Sequence, residues 1–443
     1  MRRLSRNLLV TTAFFAAACT NFLDTNPPDA LPDQLAITSP AGARAALAGA
    51  YNALQSGSYY GGDFMFFNDL YGDNALHTGT FSTYGDAGAH QFRADNQTVD
   101  DIWNAIYEAI KRDNLLIEKV PNVAGLPSAE RDQILGEAYF LRGLNYHNLV
   151  KLYGGVPLVV TPVKRPEDAA SLTRSSAADV YTQIVADLKQ AEQLMSSDSP
   201  TNHATVAAAK ALLARVYLYR GDNANALAKA NEVVALGFSL ALDYSDLFDA
   251  DGKDTPEDIF KVTFTAQQFT NAGYYWQSTD DGGRAELGPT QSLIDAYDPA
   301  DLRGQWNIKG TEAGSASGTK WPTAIGAEDF PGIRFAEVLL IKAEALARLG
   351  QLPEAVATYN DIRVRAGLAP HELGVDVTTQ QQVLDAIDRE RRLELAEEGD
   401  RFADLVRSGR AVTVLGVPAF KLLFPIPQAE INVAPGIVQN PGY

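Results

Sequence analysis

The chain is poor in the residues that staple, coordinate or oxidise. Among 443 residues it has one cysteine, five histidines and three methionines. A lone cysteine cannot close an internal disulfide, so a disulfide-stapled core is excluded. The histidines (His77, His90, His147, His203, His371) are scattered, and none stands at metal-ligand spacing from another. There is no GxxxxGK[ST], no GxGxxG after a strand, no HExxH and no GxSxG, so nucleotide, zinc-peptidase and serine-hydrolase chemistry lose their usual signatures. The turn Asp249–Asp254 (DADGKD) is similar to a calcium loop but lacks the closing glutamate, because Phe260 holds the twelfth place. The sequence therefore offers no metal site, no cofactor site and no catalytic constellation. Its many carboxylates could in principle include a glycosidase pair. Positive charge is also scarce. Against 37 basic residues stand 55 acidic ones, for a formal charge of −18. Such a surface repels phosphate backbones and excludes a polybasic membrane patch.

The single cysteine, Cys19, sits directly behind a short apolar run. Arg2, Arg3 and Arg6 form a positive start, Leu8 to Ala18 an apolar segment, and Ala16-Ala17-Ala18 a small-residue run before a processing point. That segment is too short to remain as a membrane span. It resembles a bacterial lipoprotein signal, with Ala16 where leucine is usual. Residues 1–18 are thus expected to be a signal peptide, and 19–40 a tether carrying lipid on Cys19. Several acyl chains anchor a protein stably where one does not. Thr20 after the cysteine favours the outer membrane. No later segment is long and apolar enough to cross a bilayer.

Helical periodicity dominates the rest, and the expected fold class is mainly α with little β. The pattern predicts helices over 41–54, 99–120, 176–194, 205–219, 224–236, 333–349, 353–366 and 380–410, the last with a break near Gly399. Ser128 is placed as the N-cap of another, which Gly154-Gly155 and Pro157 end. Trp103 lies in a periodic stretch and reads as core. Two hairpins repeat each other. The segment from Ala209 aligns with that from Val338, so that Gly221 falls on Gly350, Ala226 on Ala355 and Asn231 on Asn360. Small residues at the helix contact and a glycine at the turn are the physics of a tetratricopeptide-like hairpin, which must stack on neighbours to bury its apolar face. One globule over 41–443 is expected. Its scaffold is placed at about 99–236 and 333–410, interrupted by aromatic, glycine-rich loop regions at about 56–98 and 240–332.

Several separated segments resemble, in order, the SusD/RagB family of outer-membrane lipoproteins. They are the FLDTNPPD that follows Cys19, Glu137 to Val159, RFAEVLLIKAEALARLG, Glu390 to Arg410, FPIPQAEI and the terminal QNPGY. The resemblance implies a surface protein that binds an oligosaccharide or other oligomeric nutrient without turnover. It further implies a lid role on a SusC-like TonB-dependent transporter, on the extracellular side of the outer membrane. The Glu390–Arg401 stretch reads as structural, with arginines bridging to other elements.

A pyranose has an apolar C–H face and a polar rim, which flat rings and Asn, Asp or Arg side chains match. The stacking candidates are Phe81, Tyr84, Tyr275, Trp276 and Trp306, and the polar candidates are Asp73, Asn74 and Asp280. The alternative is a tetratricopeptide-like scaffold that binds a protein or peptide on its helices.

Overall fold

The computed structural model describes residues 37–196, 202–248, 254–324 and 326–443. The leader, Cys19, most of the tether and most of the acidic turn at Asp249–Asp254 lie outside them.

The N-terminal block gives α1 (Pro40–Leu54), α2 (Asp63–Leu70), β1 (Ala75–His77), α3 (Ser82–Gly88), α4 (Gln97–Lys119) and α5 (Ser128–Tyr153). Ser39 starts α1 by accepting from the Gly42 amide, and Asn96 starts α4 by accepting from the Thr98 and Val99 amides. Alpha-helical spacing sets what is buried: Ala43, Leu47, Ala50 and Leu54 on α1, and Val99, Ile102, Trp103, Ile106 and Ile110 on α4. Trp103 is 1% exposed, as a core residue should be. Ser128 is the first helical residue of α5, not its cap; Pro127 occupies the cap position and has no side chain that could accept there. The region expected to be non-helical over 56–98 in fact holds α2 and α3. On α2 nearly every residue is buried (Phe64 to Leu70), and all-round burial erases the amphipathic period by which a helix is recognised.

The chain continues through α6 (Ala177–Leu194), α7 (Val206–Tyr219) and α8 (Asn223–Val234). Ser176, Thr205 and Asp222 cap these three helices. Helices α5 and α6 approach closely at Gly143, where an added methyl would lie 2.9 Å from Leu188. The second loop region carries β2 (Asp258–Val262), α9 (Ala272–Trp276), β3 (Leu287–Pro289), α10 (Leu302–Asn307), β4 (Ile308–Lys309), β5 (Ser317–Gly318) and β6 (Phe330–Arg334). It is followed by α11 (Phe335–Arg348), α12 (Leu352–Arg365), α13 (Gln380–Glu394) and α14 (Arg401–Arg407). Ile333 and Arg334, expected at a helix start, close β6 instead, where Ile333 pairs with Phe260 of β2.

The architecture is a stack of antiparallel helix pairs, with α8 of one hairpin packed on α11 of the other. The two hairpins that repeat in sequence are therefore neighbours in space. Gly221 and Gly350 both take the left-handed backbone, at φ +71° and +80°, in which a β-carbon is disfavoured.

Beneath the second loop region lies a buried ion network. Arg303 pairs with Asp301 and Glu390, each at 2.8 Å, and with Glu394. Arg334 pairs with Glu257 at 2.9 Å and with Glu394 and Glu398, while Arg365 reaches Glu257 and Glu394. Lys320 pairs with Glu398 at 2.6 Å. Arg391 joins Glu337, Asp400 and Asp404, and Arg215 joins Glu337. Burial drives Glu394 toward its neutral form, but Arg365, Arg334 and Arg303 overcome it and hold the carboxyl far below the ordinary range. The glutamates four apart on α13 are thus separated electrically by arginines from other elements, and those arginines clamp the loop region onto the helices.

Candidate functional site

The two loop regions meet because β1 pairs antiparallel with β3, in the register Ala75 to Pro289, Leu76 to Gly288 and His77 to Leu287. Just before β3 stands Glu286, whose carboxylate organises the turn after β1. Its Oε1 accepts from the amides of Thr80 (2.8 Å) and Phe81 (2.6 Å) and from His77 Nε2 (3.1 Å); its Oε2 accepts from Arg284 Nε at 2.9 Å. Its backbone carbonyl takes the Thr78 amide at 3.1 Å. Burial raises the Glu286 pKa, but Arg284, the Phe81 amide, His77 and the Thr80 amide together hold it below the usual range. The carboxylate is therefore ionised and fully engaged, and it fixes the backbone that presents Phe81.

The Arg284 guanidinium lies 4.1 Å from the centroid of the Phe81 ring, a cation–π contact, and it also donates to the Thr80 hydroxyl at 3.0 Å. Phe81 and Tyr275 meet edge-on, with centroids 5.8 Å apart at 71°. Tyr274 adjoins Tyr275 at 5.7 Å, and Phe66 of α2 supports Tyr275 from below at 5.4 Å. Phe81, Tyr274, Tyr275 and Arg284 are all half-buried, so this cluster keeps part of its surface in water. Asn271, the N-cap of α9, donates its amide to the Gly61 carbonyl at 2.9 Å, which docks the tyrosine turn onto the start of α2.

Of the residues picked from sequence, Phe81 and Tyr275 come together here. Tyr84 belongs to the same ring cluster but is buried beneath it; its hydroxyl donates to Asp63, whose carboxyl burial pushes up to about 6. Trp276 is 0% exposed and packs against Gly318, with no ring face turned to solvent. The reason is geometric: on the single turn of α9 adjacent residues point about 100° apart, so Tyr275 faces outward and Trp276 inward. Asn74 is buried too, with Oδ1 accepting from Arg392 at 2.9 Å. Asp73 is neutralised by Arg392 and Arg401, with its side chain 2.5 Å from Arg401 Nε. Trp276 and Asn74 are thus closed off by burial, and Asp73 is tied to two arginines beside an open cleft. Trp306 is half-buried, donates its indole N–H to the Lys320 carbonyl at 3.2 Å, and has no ring contact with the cluster among the described residues. Asp280 is exposed beside Asp281, which pairs with Lys309 at 2.6 Å. Sequence reasoning missed Tyr274, Thr80, Arg284 and Glu286. Arg284 and Glu286, two apart within an aromatic loop, were the available signal.

A helical-repeat scaffold that lifts a partly exposed aromatic and arginine cluster on interlocked loops defines a class of binding protein. Residues 21–218 match the SusD-like family described as starch-binding and associating with the outer membrane, and residues 237–419 match the SusD family. The chain belongs to the SusD/RagB family. It is 27% identical to SusD-like protein P38 of Formosa agariphila, over 96% of both chains. It is 24% identical to the starch-binding protein SusD of Bacteroides thetaiotaomicron, over 72% of this chain and 74% of that one. In structure it is similar to a laminarin-binding SusD-like protein (TM-score 0.79, 26% identity, 92% of this chain and 100% of that one). It is equally similar to surface glycan-binding protein A of Bacteroides fluxus (TM-score 0.79, 25% identity, 92% and 100%). The last three of these relatives are named as binding proteins. No helix among the described residues is long and apolar enough to cross a membrane.

Proposed function

We propose that this protein binds an oligosaccharide on the Phe81–Tyr275 cluster and passes it, without turnover, to a SusC-like TonB-dependent transporter. In this reading Cys19 carries the lipid that holds the protein on the outer face of the outer membrane. The observation that carries the proposal is the cluster itself. Two partly exposed rings meet at an angle, and a cation is fixed over one of them by an ionised carboxylate. Rings of this kind match the C–H faces of a sugar, while Arg284 and Thr80 beside them supply polar groups for a hydroxyl rim. Support also comes from the glycans named for two structurally similar proteins. No covalent step is required. Handover follows from a difference in affinity between open and closed states of the assembly.

Isothermal titration against a glycan panel tests the reading. Phe81→Ala or Tyr275→Ala should weaken binding by about 1–3 kcal/mol, the scale of an aromatic hot spot. Turnover of any bound glycan, or unchanged affinity in both variants, overturns it. Mass spectrometry of the native protein tests the anchor, and an unmodified Cys19 thiol refutes it.

A further inference from the structure

Two carboxylates support the ring cluster, and they are held in opposite ways. Glu286 is tied to Arg284 and to two backbone amides, so it stays ionised. Asp63, at the start of α2, has no such clamp. Among the described residues its carboxyl takes one hydrogen bond from the Tyr84 hydroxyl and one from Ser58, and no cation pairs with it. Burial is the main cause of its rise to about 6; Tyr84 and Ser58 oppose that rise, and the like charge of Asp101 on α4 adds to it. Tyr275 of α9 and Glu286 are the other ionisable groups that face the Asp63–Tyr84 pair.

The pair is the joint on which the exposed rings rest. The Tyr84 ring meets Phe81 edge-on at 5.5 Å and 70°, and Tyr275 edge-on at 6.1 Å and 75°. Beneath, it meets Phe67 of α2 at 5.2 Å. The Asp63 amide donates to the Gly57 carbonyl at 2.9 Å, in the turn whose Gly61 carbonyl takes the Asn271 amide. One buried ring and one turn thus link Asp63 to both Phe81 and Tyr275. An ionised Asp63 accepts from both hydroxyls in charge-assisted hydrogen bonds, about twice as strong as neutral ones. A protonated Asp63 loses that advantage and has a proton of its own to place. The hold on Tyr84 then slackens, and with it the packing that sets Phe81 against Tyr275. Rings fixed in advance bind without being ordered first, whereas loosened rings lose affinity to that ordering.

We infer that Asp63 is a positioning residue for the glycan site: through Tyr84 it sets the Phe81–Tyr275 pair, and loss of its charge in mildly acidic surroundings releases bound saccharide. The inference rests on the proposed glycan-binding reading and adds a regulator to it. Fold stability moves the other way. A carboxyl raised above the usual range stabilises fully below the unfolded value near 4, and that contribution is lost as pH rises through about 6. Weaker binding at pH 5 is therefore not a weaker fold at this group.

The test is titration calorimetry of the full chain against neutral glucan and mannan oligosaccharides of four to eight units, between pH 5 and pH 7.5. These ligands do not ionise in that range, so the protein supplies any pH dependence. Wild type should bind at least about fivefold more weakly at pH 5 than at pH 7.5, within the usual range for two coupled equilibria. Asp63→Asn, neutral at every pH, should bind weakly throughout with a flat profile. Tyr84→Phe keeps the carboxyl but removes the hydroxyl, and it should flatten the profile as well. By reciprocity, saturating ligand should lower the Asp63 pKa read by carbon-13 NMR of its carboxyl. Circular dichroism checks that the variants fold, and should either fail to, the wild-type carbon-13 titration decides alone. A wild-type affinity that is flat over the range, a profile unchanged in Asp63→Asn, or an Asp63 titration unmoved by ligand overturns the inference and leaves the cluster reading standing. If the oligosaccharides bind at no pH, both readings fall together.

Discussion

At the scale of single residues, the tryptophan and the phenylalanine of the loop regions have opposite roles, and substitution separates them. Trp276 is interred against Gly318, so Trp276→Ala removes a large buried ring and leaves a cavity. It should destabilise the fold by about 3–5 kcal/mol, read as a lowered Tm. Phe81→Ala removes a half-exposed ring and should shift Tm far less while weakening glycan binding. Equal Tm losses in both variants would refute the division. Glu397 supplies a second prediction. It is buried, in a left-handed backbone at φ +64°, and burial pushes its carboxyl up to about 8, with Lys320 opposing and Asp69 and Glu398 adding to the rise. The folded protein therefore binds a proton that the unfolded chain releases near the ordinary carboxylate value. Stability from this group is complete below about pH 4.5 and is lost progressively as pH rises toward 8. Glu397→Gln, neutral at every pH, should flatten the fall in Tm between pH 5 and 8. A wild-type profile that rises over that interval and is unchanged in the variant would sink this assignment.

At the scale of elements, what was legible in the sequence follows the kind of physics that wrote it. The two hairpins were legible because their constraint is local: a left-handed glycine at a turn and small residues where helices touch. Helix α2 was not, because burial on every side leaves no polar stripe to set a period. The pairing of β1 with β3 was not either, since three residues meet three residues across more than 200 positions and no local signal encodes the match. The site suffered accordingly. Phe81 and Tyr275 could be picked as aromatic loop residues, but whether a ring faces water depends on one turn of α9, and that turn sends Trp276 the wrong way. The arginine-rich motif was legible as structural; its partners were not. Arg334 bridges Glu257, Glu394 and Glu398 from β6 to α13. Truncation at Arg334 removes the cation that Glu257, Glu394 and Glu398 share, leaving Arg365 to the first two, with Arg303 at Glu394, and Lys320 to the third. Arg334→Ala should cost about 3–5 kcal/mol, the range for removing one partner of a buried ion pair, with the loss read from urea denaturation. A cost below about 1 kcal/mol would mean that the network relaxes without it.

At the scale of the whole molecule, the two family matches meet between residues 218 and 237, yet the packing does not divide there. One continuous apolar core runs from Ile37 to Ile437. Helix α8, which lies within that gap, packs on α11 from the far side of the loop insertion, and Arg215 of α7 pairs with Glu337 of α11. The loop regions are bound into the same body, with Gln55, at the end of α1, donating to the Thr263 carbonyl of the second at 2.6 Å. We therefore expect the described globule to unfold cooperatively. Backbone helicity by far-ultraviolet circular dichroism, side-chain packing by tryptophan fluorescence and calorimetric enthalpy should report one coincident transition. Trp276 and Trp321 of the insertion and Trp103 of α4 all contribute to that fluorescence, so an insertion melting before the helical stack would displace the fluorescence midpoint from the dichroism midpoint. Two resolved transitions would show that the insertion or one helical half folds on its own. The loop surface proposed to bind sugar would then be a separable module and not an outgrowth of the helical stack.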